Sequence, residues 1–309
     1  MNKAFKIVII AVSAAAVCAL ATVAMFFAMN PLHPNVEIKP DEARVAENEV
    51  LYVSSYNTAA PWGNLINGTH TTRRANLFAQ QINDSLPDSL GVQEINSNWV
   101  EKMEELLPQY GYYGVKRGGD SSENTSEMSG IFYLKNKFEL LESDTFWISD
   151  TPETESKFDG AGCNRVCSYV VLRNKTTGDT YAHLNTHLDN VSVEAQALGG
   201  ELICEKAADI AEKYGDIAIV ITGDFNQYSD GAACTAVMDG GFVNASEVME
   251  NGDNTVTYND WGKIKTGKPI DFIFVNGNFK VQDYSVSTNS EVETYISDHY
   301  MITAELKIK

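Results

Sequence analysis

Short apolar runs alternate with longer segments of helical spacing along residues 50–309. The β-rich runs cover 50–55, 90–93, 130–134, 166–172, 180–187, 217–222, 270–275 and 299–306. Apolar residues recur at helical spacing over 70–84, 97–107, 192–214 and 230–239. Some strands alternate with helices, whereas others follow one another as in hairpins. This mixture predicts an α/β (α+β) fold in which mixed sheets carry helices on their outer faces.

The first thirty residues have a different pattern. An almost unbroken apolar run of about 23 residues extends from Ile7 to Met29, which is long enough to span a bilayer as a helix. Lys3 and Lys6 on its short N-terminal side favour a cytoplasmic N-terminus and an extracytoplasmic body. We therefore predict a signal-anchor helix over 1–30 that holds the protein at the membrane. The alternative is a cleaved signal peptide and a secreted protein.

The residues after the apolar run predict a linker and one domain. Residues 31–49 contain three prolines and several acids, which is typical of a solvated linker. From residue 50 to 309 the chain shows neither a second linker nor a repeat. We therefore expect a single catalytic-sized domain over 50–309, and a monomer.

The charge balance narrows the classes of partner. The chain has 309 residues, of which 44% are hydrophobic and 21% charged, an ordinary globular composition. Its 23 Lys+Arg and 42 Asp+Glu give a net charge of −19. Such a protein repels polyanions at long range, which disfavours tight non-specific binding of nucleic acid. An enzyme acting on phosphates stays compatible with this charge, because a bound divalent cation can invert the local field.

Four cysteines lie in the predicted domain, at positions 163, 167, 204 and 234. Their spacing is not that of a zinc ribbon. In an oxidising compartment they could form one or two disulfides of undetermined connectivity. Buried, unpaired cysteines fit the same positions equally well.

Polar residues recur where the predicted strands end or begin. In an α/β fold such strand ends form one rim, where ligands and catalytic groups gather. Any one of these residues has a simpler explanation, such as a turn, a helix cap or a hydrogen-bonded core histidine. Together they exceed what turns and caps require. The residues at this rim are Asn57, Glu94, His187, Asp189, Asp224, Asn226, Asp271, Asp298 and His299.

In their order, these residues resemble the motifs of the endonuclease/exonuclease/phosphatase superfamily, which includes DNase I-like nucleases, sphingomyelinases and inositol polyphosphate phosphatases. The resemblance covers roughly residues 50–307. It implies a four-layer sandwich of two mixed β-sheets flanked by helices. The matching blocks are Ser-Tyr-Asn57, Val-Gln-Glu94, Thr-His187-Leu-Asp189, Gly-Asp224-Phe-Asn226, Pro-Ile-Asp271-Phe-Ile-Phe and Ser-Asp298-His299.

The resemblance also implies a metal site and a catalytic base. Glu94 would ligate Mg²⁺, with Asn57 and Asp298 helping to hold the ion or its waters; Mn²⁺ and Ca²⁺ are alternatives. Hard oxygen ligands of this kind suit Mg²⁺. Asp224 would orient and deprotonate the attacking water, and Asn226 would steady the phosphate oxygens.

Further residues would bind or support the phosphate. His187 and His299 would hydrogen-bond to it, with Asp271 pairing with His299 and raising its pKa. Glu127 would support His187 in the same way. Arg117 and Arg165 would either contact the substrate phosphate or form surface salt bridges. One departure from the family pattern follows Asp189, where Gln196 lies near the place of a common arginine.

These expectations define a metal-dependent phosphoric ester hydrolase in which water attacks in line with the leaving group. A phosphodiesterase of the nuclease type is one interpretation. A phospholipid head-group or small phosphomonoester hydrolase is the alternative, because basic clusters beyond Arg73-Arg74 and the lysines at 263, 265 and 268 are few. An inactive surface-binding protein of the same fold is disfavoured, since the catalytic positions hold competent residues.

Overall fold

The computed structural model describes residues 3–29, 36–60, 71–249, 255–288 and 295–309, with side chains described over 12–25 in the first range and from 74 onward in the third. Its helices are α1 (Lys3–Met29), α2 (Glu42–Ala46), α3 (Thr71–Ser85), α4 (Ser97–Leu106), α5 (Val193–Tyr214), α6 (Ala232–Asp239) and α7 (Ala245–Val248). Its strands are β1 (Leu51–Asn57), β2 (Ser89–Ile95), β3 (Tyr110–Tyr113), β4 (Met128–Leu134), β5 (Phe138–Trp147), β6 (Val166–Asn174), β7 (Thr180–His187), β8 (Ala218–Asp224), β9 (Val243–Asn244), β10 (Asp271–Val275), β11 (Phe279–Ser287) and β12 (Met301–Ile308).

The strands form two six-stranded sheets, with the orders β11-β12-β1-β2-β4-β3 and β5-β6-β7-β8-β10-β9. Each sheet has a parallel pair at its centre, β1 with β2 and β7 with β8, and antiparallel pairs around it. The prediction of mixed sheets is therefore confirmed. The central parallel pairs place the ends of four strands side by side at one end of the molecule.

Helices cover the outer face of each sheet. Phe78 and Ile82 of α3 and Trp99 of α4 pack with the first sheet, and Ile203 of α5 and Val237 of α6 pack with the second. Burying such side chains contributes on the order of 1.5–3 kcal/mol each. Two sheets with helices outside them are the layers that the sequence predicts.

Each predicted strand and helix of the domain is present, with boundaries shifted by at most two residues. The strands that the apolar pattern missed are β3, β5, β9 and β11, which are the edge strands of the two sheets. Edge strands lack a neighbour on one side, so they need less apolar sequence. In β11, for example, buried and exposed positions alternate.

A buried hydrogen-bond network joins the two sheets below the ends of the central parallel strands. His183 Nδ1 lies 2.9 Å from Ser89 Oγ, and His183 Nε2 lies 2.8 Å from Thr222 Oγ1. Thr222 donates to Asn185 Oδ1 at 3.0 Å, which also accepts from Gln93 Nε2 at 2.7 Å. Because the threonine hydroxyl donates to Asn185, it accepts from a His183 that is protonated at Nε2. Burial lowers the pKa of His183 to about 3, so this histidine is neutral.

The part of the predicted linker that the structure describes lies against the domain. Residues 36–49, here called the N-terminal strap, contain α2; residues 31–35 lie outside the described residues. Lys39 N donates to Asn83 Oδ1 at 3.0 Å, and Arg44 donates to Ser85 O at 3.3 Å. The Arg44 guanidinium also stacks over the Tyr52 ring, 3.4 Å from its centroid. The strap is thus held at the start of β1 and the end of α3.

The N-terminal region forms the helix α1, whose described side chains, 12–25, are exposed. Within the described part of the chain, no helix has both the length and the apolar character needed to cross a bilayer. The predicted anchor extends from Ile7 to Met29 and so lies partly outside the residues whose side chains are described.

The cysteines of the domain are all unpaired. Cys167 and Cys234 are buried, and Cys163 and Cys204 are partly buried. The disulfides considered from the sequence are therefore not formed, and buried, unpaired cysteines are the arrangement found.

Candidate active site

The predicted site residues converge on one end of the sandwich. Asn57, Glu94, His187 and Asp224 end or lie near the ends of the central parallel strands. The residues that the structure describes around this end enclose a cavity of about 460 Å³. Of the predicted residues, Glu94, Arg117, Glu127, Arg165, His187, Asp224, Asn226, Asp298 and His299 line it.

A distortion of β2 sets the direction of Glu94. The pairing of β2 with β4 changes register between Val92 and Ile95, and Glu94 has a φ of 58°. A bulge of this kind re-aims a side chain, and a left-handed φ costs a non-glycine residue of order 1–3 kcal/mol. The Glu94 carboxylate accepts from Ala60 N and, at 3.1 Å, from Asn57 Nδ2. Strain is therefore maintained at a residue that lines the cavity.

Arg74 holds the loops behind Glu94. The sequence showed it only as part of a basic pair, Arg73-Arg74, and did not indicate this structural function. Its side chain is fully buried and donates to the carbonyl oxygens of Thr58, Ala59 and Ile296. Its guanidinium lies about 5 Å from the rings of Trp99 and Trp261. Burial lowers the pKa of Arg74 to about 10, against the raising effect of Asp298, so it stays charged near neutral pH. It is a buried cation behind the cavity and not a basic residue at its rim.

Asp224, Asp271 and His299 form a buried charged group. His299 Nδ1 lies 2.8 Å from Asp271 Oδ2, and His299 Nε2 lies 3.7 Å from Asp224 Oδ2. Burial alone lowers the pKa of His299, but the neighbouring carboxylates of Asp271, Asp224 and Asp298 outweigh it and raise that pKa to about 10. His299 is therefore an imidazolium at neutral pH, and Asp271 lies where the family motif implies.

Asp224 is suited to accept a proton. Burial and the charge of Asp271 raise its pKa to about 7, while His299 and hydrogen bonds from Asn226 N and Asn57 Nδ2 act in the opposite direction. The Asn57 contact measures 2.9 Å. A group with a pKa near the working pH is the most effective general base.

His187 has the opposite protonation state to His299. Asn226 Nδ2 lies 2.9 Å from His187 Nε2, and an amide nitrogen donates, so that ring nitrogen accepts. Burial and the cations Arg165 and Arg117 lower the pKa of His187 well below its usual value. Asn226 itself has a left-handed φ of 53°. The cavity thus presents one neutral and one charged imidazole.

Glu127 has a different partner from the one expected. It forms a two-point ion pair with Arg117, with nitrogen–oxygen distances of 3.0 and 2.9 Å, instead of supporting His187. Burial raises the pKa of Glu127, against the lowering effect of Arg117. Because Arg117 and Glu127 also line the cavity, the pair belongs to the site and is not a surface salt bridge.

Arg165 lines the same cavity, and part of its guanidinium has no hydrogen-bond partner among the described residues. It is only 6% exposed, and its Nη2 donates to Asn190 Oδ1 at a long 3.4 Å. Its buried Nε has no hydrogen-bond partner among the described residues. The nearly buried guanidinium brings a positive charge to the cavity wall, and this charge favours an anion in the cavity.

Asp189 lies outside the cavity and shapes the loop beside it. Its carboxylate accepts from the backbone nitrogens of Gly162, Val191 and Ser192. Burial raises the pKa of Asp189, but these hydrogen bonds outweigh burial and lower it. Gln196 is buried and donates to Asp189 O at 2.6 Å. Both residues therefore support the loop.

The oxygen donors at the cavity fit a hard divalent cation. Burial raises the pKa of Asp298, and the negative charge of Glu94 raises it further. The two carboxylates therefore repel each other at the cavity. A cation there would relieve this repulsion, and carboxylate oxygens are the ligands that Mg²⁺ prefers. A second arrangement brings ligand atoms of Asp224, Asp271 and His299 within 4.8 Å of one another. Hydrogen bonds already account for that group, so Glu94 and Asp298 are the better ligands.

The sequence profile and the similar solved structures indicate the same protein family. The sequence profile of the endonuclease/exonuclease/phosphatase family matches residues 55–299. A protein of this family from Bacteroides thetaiotaomicron is 29% identical, with a TM-score of 0.76 over 84% of this chain and 98% of its own. Its counterpart from Bacteroides vulgatus is 28% identical, with a TM-score of 0.76 over 85% and 100%.

A third similar structure is that of a protein named for its activity. The mannosyl-6-phosphatase of Bacteroides thetaiotaomicron VPI-5482 is 29% identical, with a TM-score of 0.74 over 83% of this chain and 99% of its own. No match to a curated protein was found. The profile match spans the whole set of site residues from Asn57 to His299. The chain therefore belongs to the endonuclease/exonuclease/phosphatase family, whose members hydrolyse phosphoester bonds.

Proposed function

We propose that the protein is a Mg²⁺-dependent hydrolase of small phosphate esters, with monoesters as its main substrates. The observation that carries this is the pair of cations at the cavity: the nearly buried Arg165 and the positively charged His299 both line it. A phosphomonoester is a dianion and needs such cationic donors more than a diester does.

The chain's own residues supply the base and the donors. Asp224 accepts a proton from water as the water oxygen attacks phosphorus. The bond from phosphorus to the ester oxygen breaks, and the leaving alkoxide takes a proton from solvent water and departs as the alcohol. The positively charged His299 donates to a phosphate oxygen and stabilises the charge that develops there. Mg²⁺ held by Glu94 and Asp298, with Asn57 beside them, would neutralise charge on the phosphate.

The charge and the named relative favour a small substrate over a polynucleotide. The net charge of −19 repels a polyanion, and the only arginines among the described cavity residues are Arg117 and Arg165. Glu127 already engages the first of these. A relative named as a mannosyl-6-phosphatase supports a sugar phosphate as the first substrate to test.

Activity assays can test this proposal directly. The purified chain is incubated with hexose 6-phosphates, glycerol 3-phosphate, bis-p-nitrophenyl phosphate, sphingomyelin and plasmid DNA, with Mg²⁺ or with EDTA. We expect phosphate release from the monoesters with Mg²⁺ alone and its loss in Asp224→Asn. Asp209→Asn, an exposed change on α5, should behave as wild type. Nicking of the plasmid without monoester hydrolysis would make the protein a nuclease instead.

The metal site has a separate readout that needs no substrate. We expect saturating Mg²⁺ to raise the melting temperature of the wild type, since a ligand that binds only the folded state stabilises it. At a concentration 100 times the Kd the gain in unfolding free energy is about 2.7 kcal/mol. Glu94→Gln should lose most of this gain. An equal gain in both proteins would place the ion elsewhere.

The location of the enzyme is also a proposal. We infer that the apolar run from Ile7 to Met29 anchors a monomeric enzyme to the membrane, with the domain over 50–309 outside the cytoplasm. The run length and the lysines before it support this. Mass spectrometry of the mature protein tests it, because a mass lacking the first residues would show a cleaved signal and a secreted enzyme.

A further inference from the structure

A second cavity of about 480 Å³ opens beside the catalytic cavity. Asn226, Tyr258 and Ile270 line both of them. We propose that this second cavity binds the alcohol part of the ester and selects a cyclic, polyhydroxylated alcohol, such as a hexose. This inference rests on the proposed phosphoesterase function.

The shared residues make the two cavities neighbours at the catalytic groups. The Tyr258 ring centroid lies 5.1 Å from that of His299, and Asn226 contacts His187. A phosphate beside these histidines is therefore adjacent to the opening of the second cavity. The second cavity is therefore the space nearest to these histidines in which its organic substituent could lie.

The walls of the second cavity combine apolar surface with a charged rim. Val256, Ile264 and Ile270 contribute aliphatic surface, and Tyr228, 49% exposed, contributes an aromatic ring. At the rim Lys268 and Asp230 lie 3.4 Å apart and are both exposed. A sugar ring matches this pattern, because its C–H face packs on apolar and aromatic side chains while its hydroxyls both donate and accept.

The loop that forms one wall is fixed by its own hydrogen bonds. Asn259 N donates to Asp298 O at 2.6 Å, and Ile264 N donates to Asn259 O at 2.9 Å. Gly262 has a φ of 84°, and no other residue fits at this position because its Cβ would overlap the Tyr295 ring. A wall that is ordered before binding loses little entropy when the ligand arrives. The loop therefore defines a preformed subsite.

Selectivity measurements test the subsite. We compare kcat/KM for mannose 6-phosphate with kcat/KM for glycerol 3-phosphate, in the full-length wild type and in Tyr228→Ala. Loss of an aromatic contact of ~1.4 kcal/mol should lower the ratio about tenfold. Tyr228→Phe should keep the ratio. Thr266→Trp, which fills the cavity from its exposed edge, should lower it as well.

Controls separate failure of the subsite from failure of the proposed function. Tyr214→Ala, at the C-terminal end of α5 and outside both cavities, should leave the ratio unchanged. If the wild type hydrolyses both esters with the same kcat/KM, or if it prefers nucleoside 5′-monophosphates, the hexose subsite is wrong and the phosphoesterase function stands. If no ester is hydrolysed, the proposed function fails. The subsite is then judged by saturation-transfer NMR with methyl α-mannoside, where no signal, or an equal signal in Tyr228→Ala, overturns it.

Discussion

At the scale of single residues, the cavity keeps two histidines in opposite charge states. His299 is surrounded by Asp271, Asp224 and Asp298, and its pKa is raised to about 10. His187 lies among arginines and accepts from Asn226, so it stays neutral. The imidazolium of His299 keeps its Nδ1 proton on Asp271 and can donate from Nε2 to a phosphate oxygen, whereas His187 has one ring proton. This asymmetry makes Asp271 a positioning residue for the charge of His299.

Replacing Asp271 should expose this dependence. In Asp271→Asn the pKa of His299 falls, because only Asp224 and Asp298 then oppose the effect of burial, so a smaller fraction of the ring is charged at neutral pH. We expect kcat/KM to fall by about 10²–10⁴, the usual range for a positioned acid or base. NMR titration of the His299 ring supplies a readout that a structural role would not change. Asp283→Asn, an exposed change on β11, serves as the control.

His183 should make stability depend on pH. Its pKa in the folded protein is about 3 against a usual value of 6.5, so the unfolded chain takes up the proton first. This contribution to stability is fully present above pH 6.5 and is lost as the pH falls toward 3. The expected slope is up to about 1.4 kcal/mol of unfolding free energy per pH unit.

Urea unfolding at several pH values measures this slope. The difference between wild type and His183→Gln isolates His183 from other groups that titrate in the same window, including His187. The slope of the wild type between pH 6 and pH 4 should exceed that of the variant. Parallel slopes would show that the buried network tolerates a charged histidine.

The ordered motifs predicted most of the residues at the cavity, because strand ends are visible as polar residues after apolar runs. They could not show the partner of Glu127, since the distance between Arg117 and Glu127 depends on how two chain segments fold together. Arg74 and Tyr258 were missed for the same reason. Nothing adjacent to Arg74 in the sequence indicates that three backbone carbonyls will surround it.

At the scale of secondary structure elements, the two sheets are joined by polar contacts as well as by apolar packing. β2 approaches β7 and β8 closely enough for Gln93, Asn185 and Thr222 to share hydrogen bonds. This approach requires glycine at position 91. A Cβ there would overlap Thr222 Oγ1 and Asn185 Oδ1.

Gly91→Ala should therefore destabilise the fold. Forcing an extra methyl group into a well-packed interior costs about 1–3 kcal/mol, and these neighbours are held by further hydrogen bonds. Chemical denaturation gives the change in unfolding free energy. Gly277→Ala is the matched control, because nothing lies within 4 Å of its Cβ, and it should change stability by less than about 1 kcal/mol. Equal effects at both positions would contradict the close approach.

The central strands were predictable and the edge strands were not, for one physical reason. A strand buried on both faces, such as β8, must be apolar along its length, and this run stands out in the sequence. β5 is buried mainly toward its ends and carries acids between them. Its pairing with β6 comes from backbone hydrogen bonds, which leave little trace in the sequence.

At the scale of the whole molecule, the N-terminal strap and the cavity occupy opposite ends of the sandwich. The strap contacts the start of β1 and the end of α3, and Asp41 accepts from Asn136 in the turn after β4. The cavity lies at the other ends of these strands. A seven-residue strand is about 20 Å long, so roughly this distance separates the two ends.

The strap therefore determines how the protein faces any surface that holds it. Residues 30–35 can span at most about 20 Å. A surface attached before these residues therefore lies near the end of the protein that is remote from the cavity. Reconstituted in vesicles, the full chain should hydrolyse soluble hexose phosphate and leave sphingomyelin in its own bilayer uncut. Cleavage of that lipid would contradict this orientation. Coupled to a bead through its first residues, the enzyme should keep its cavity toward the solution, where immobilisation leaves substrate access unhindered.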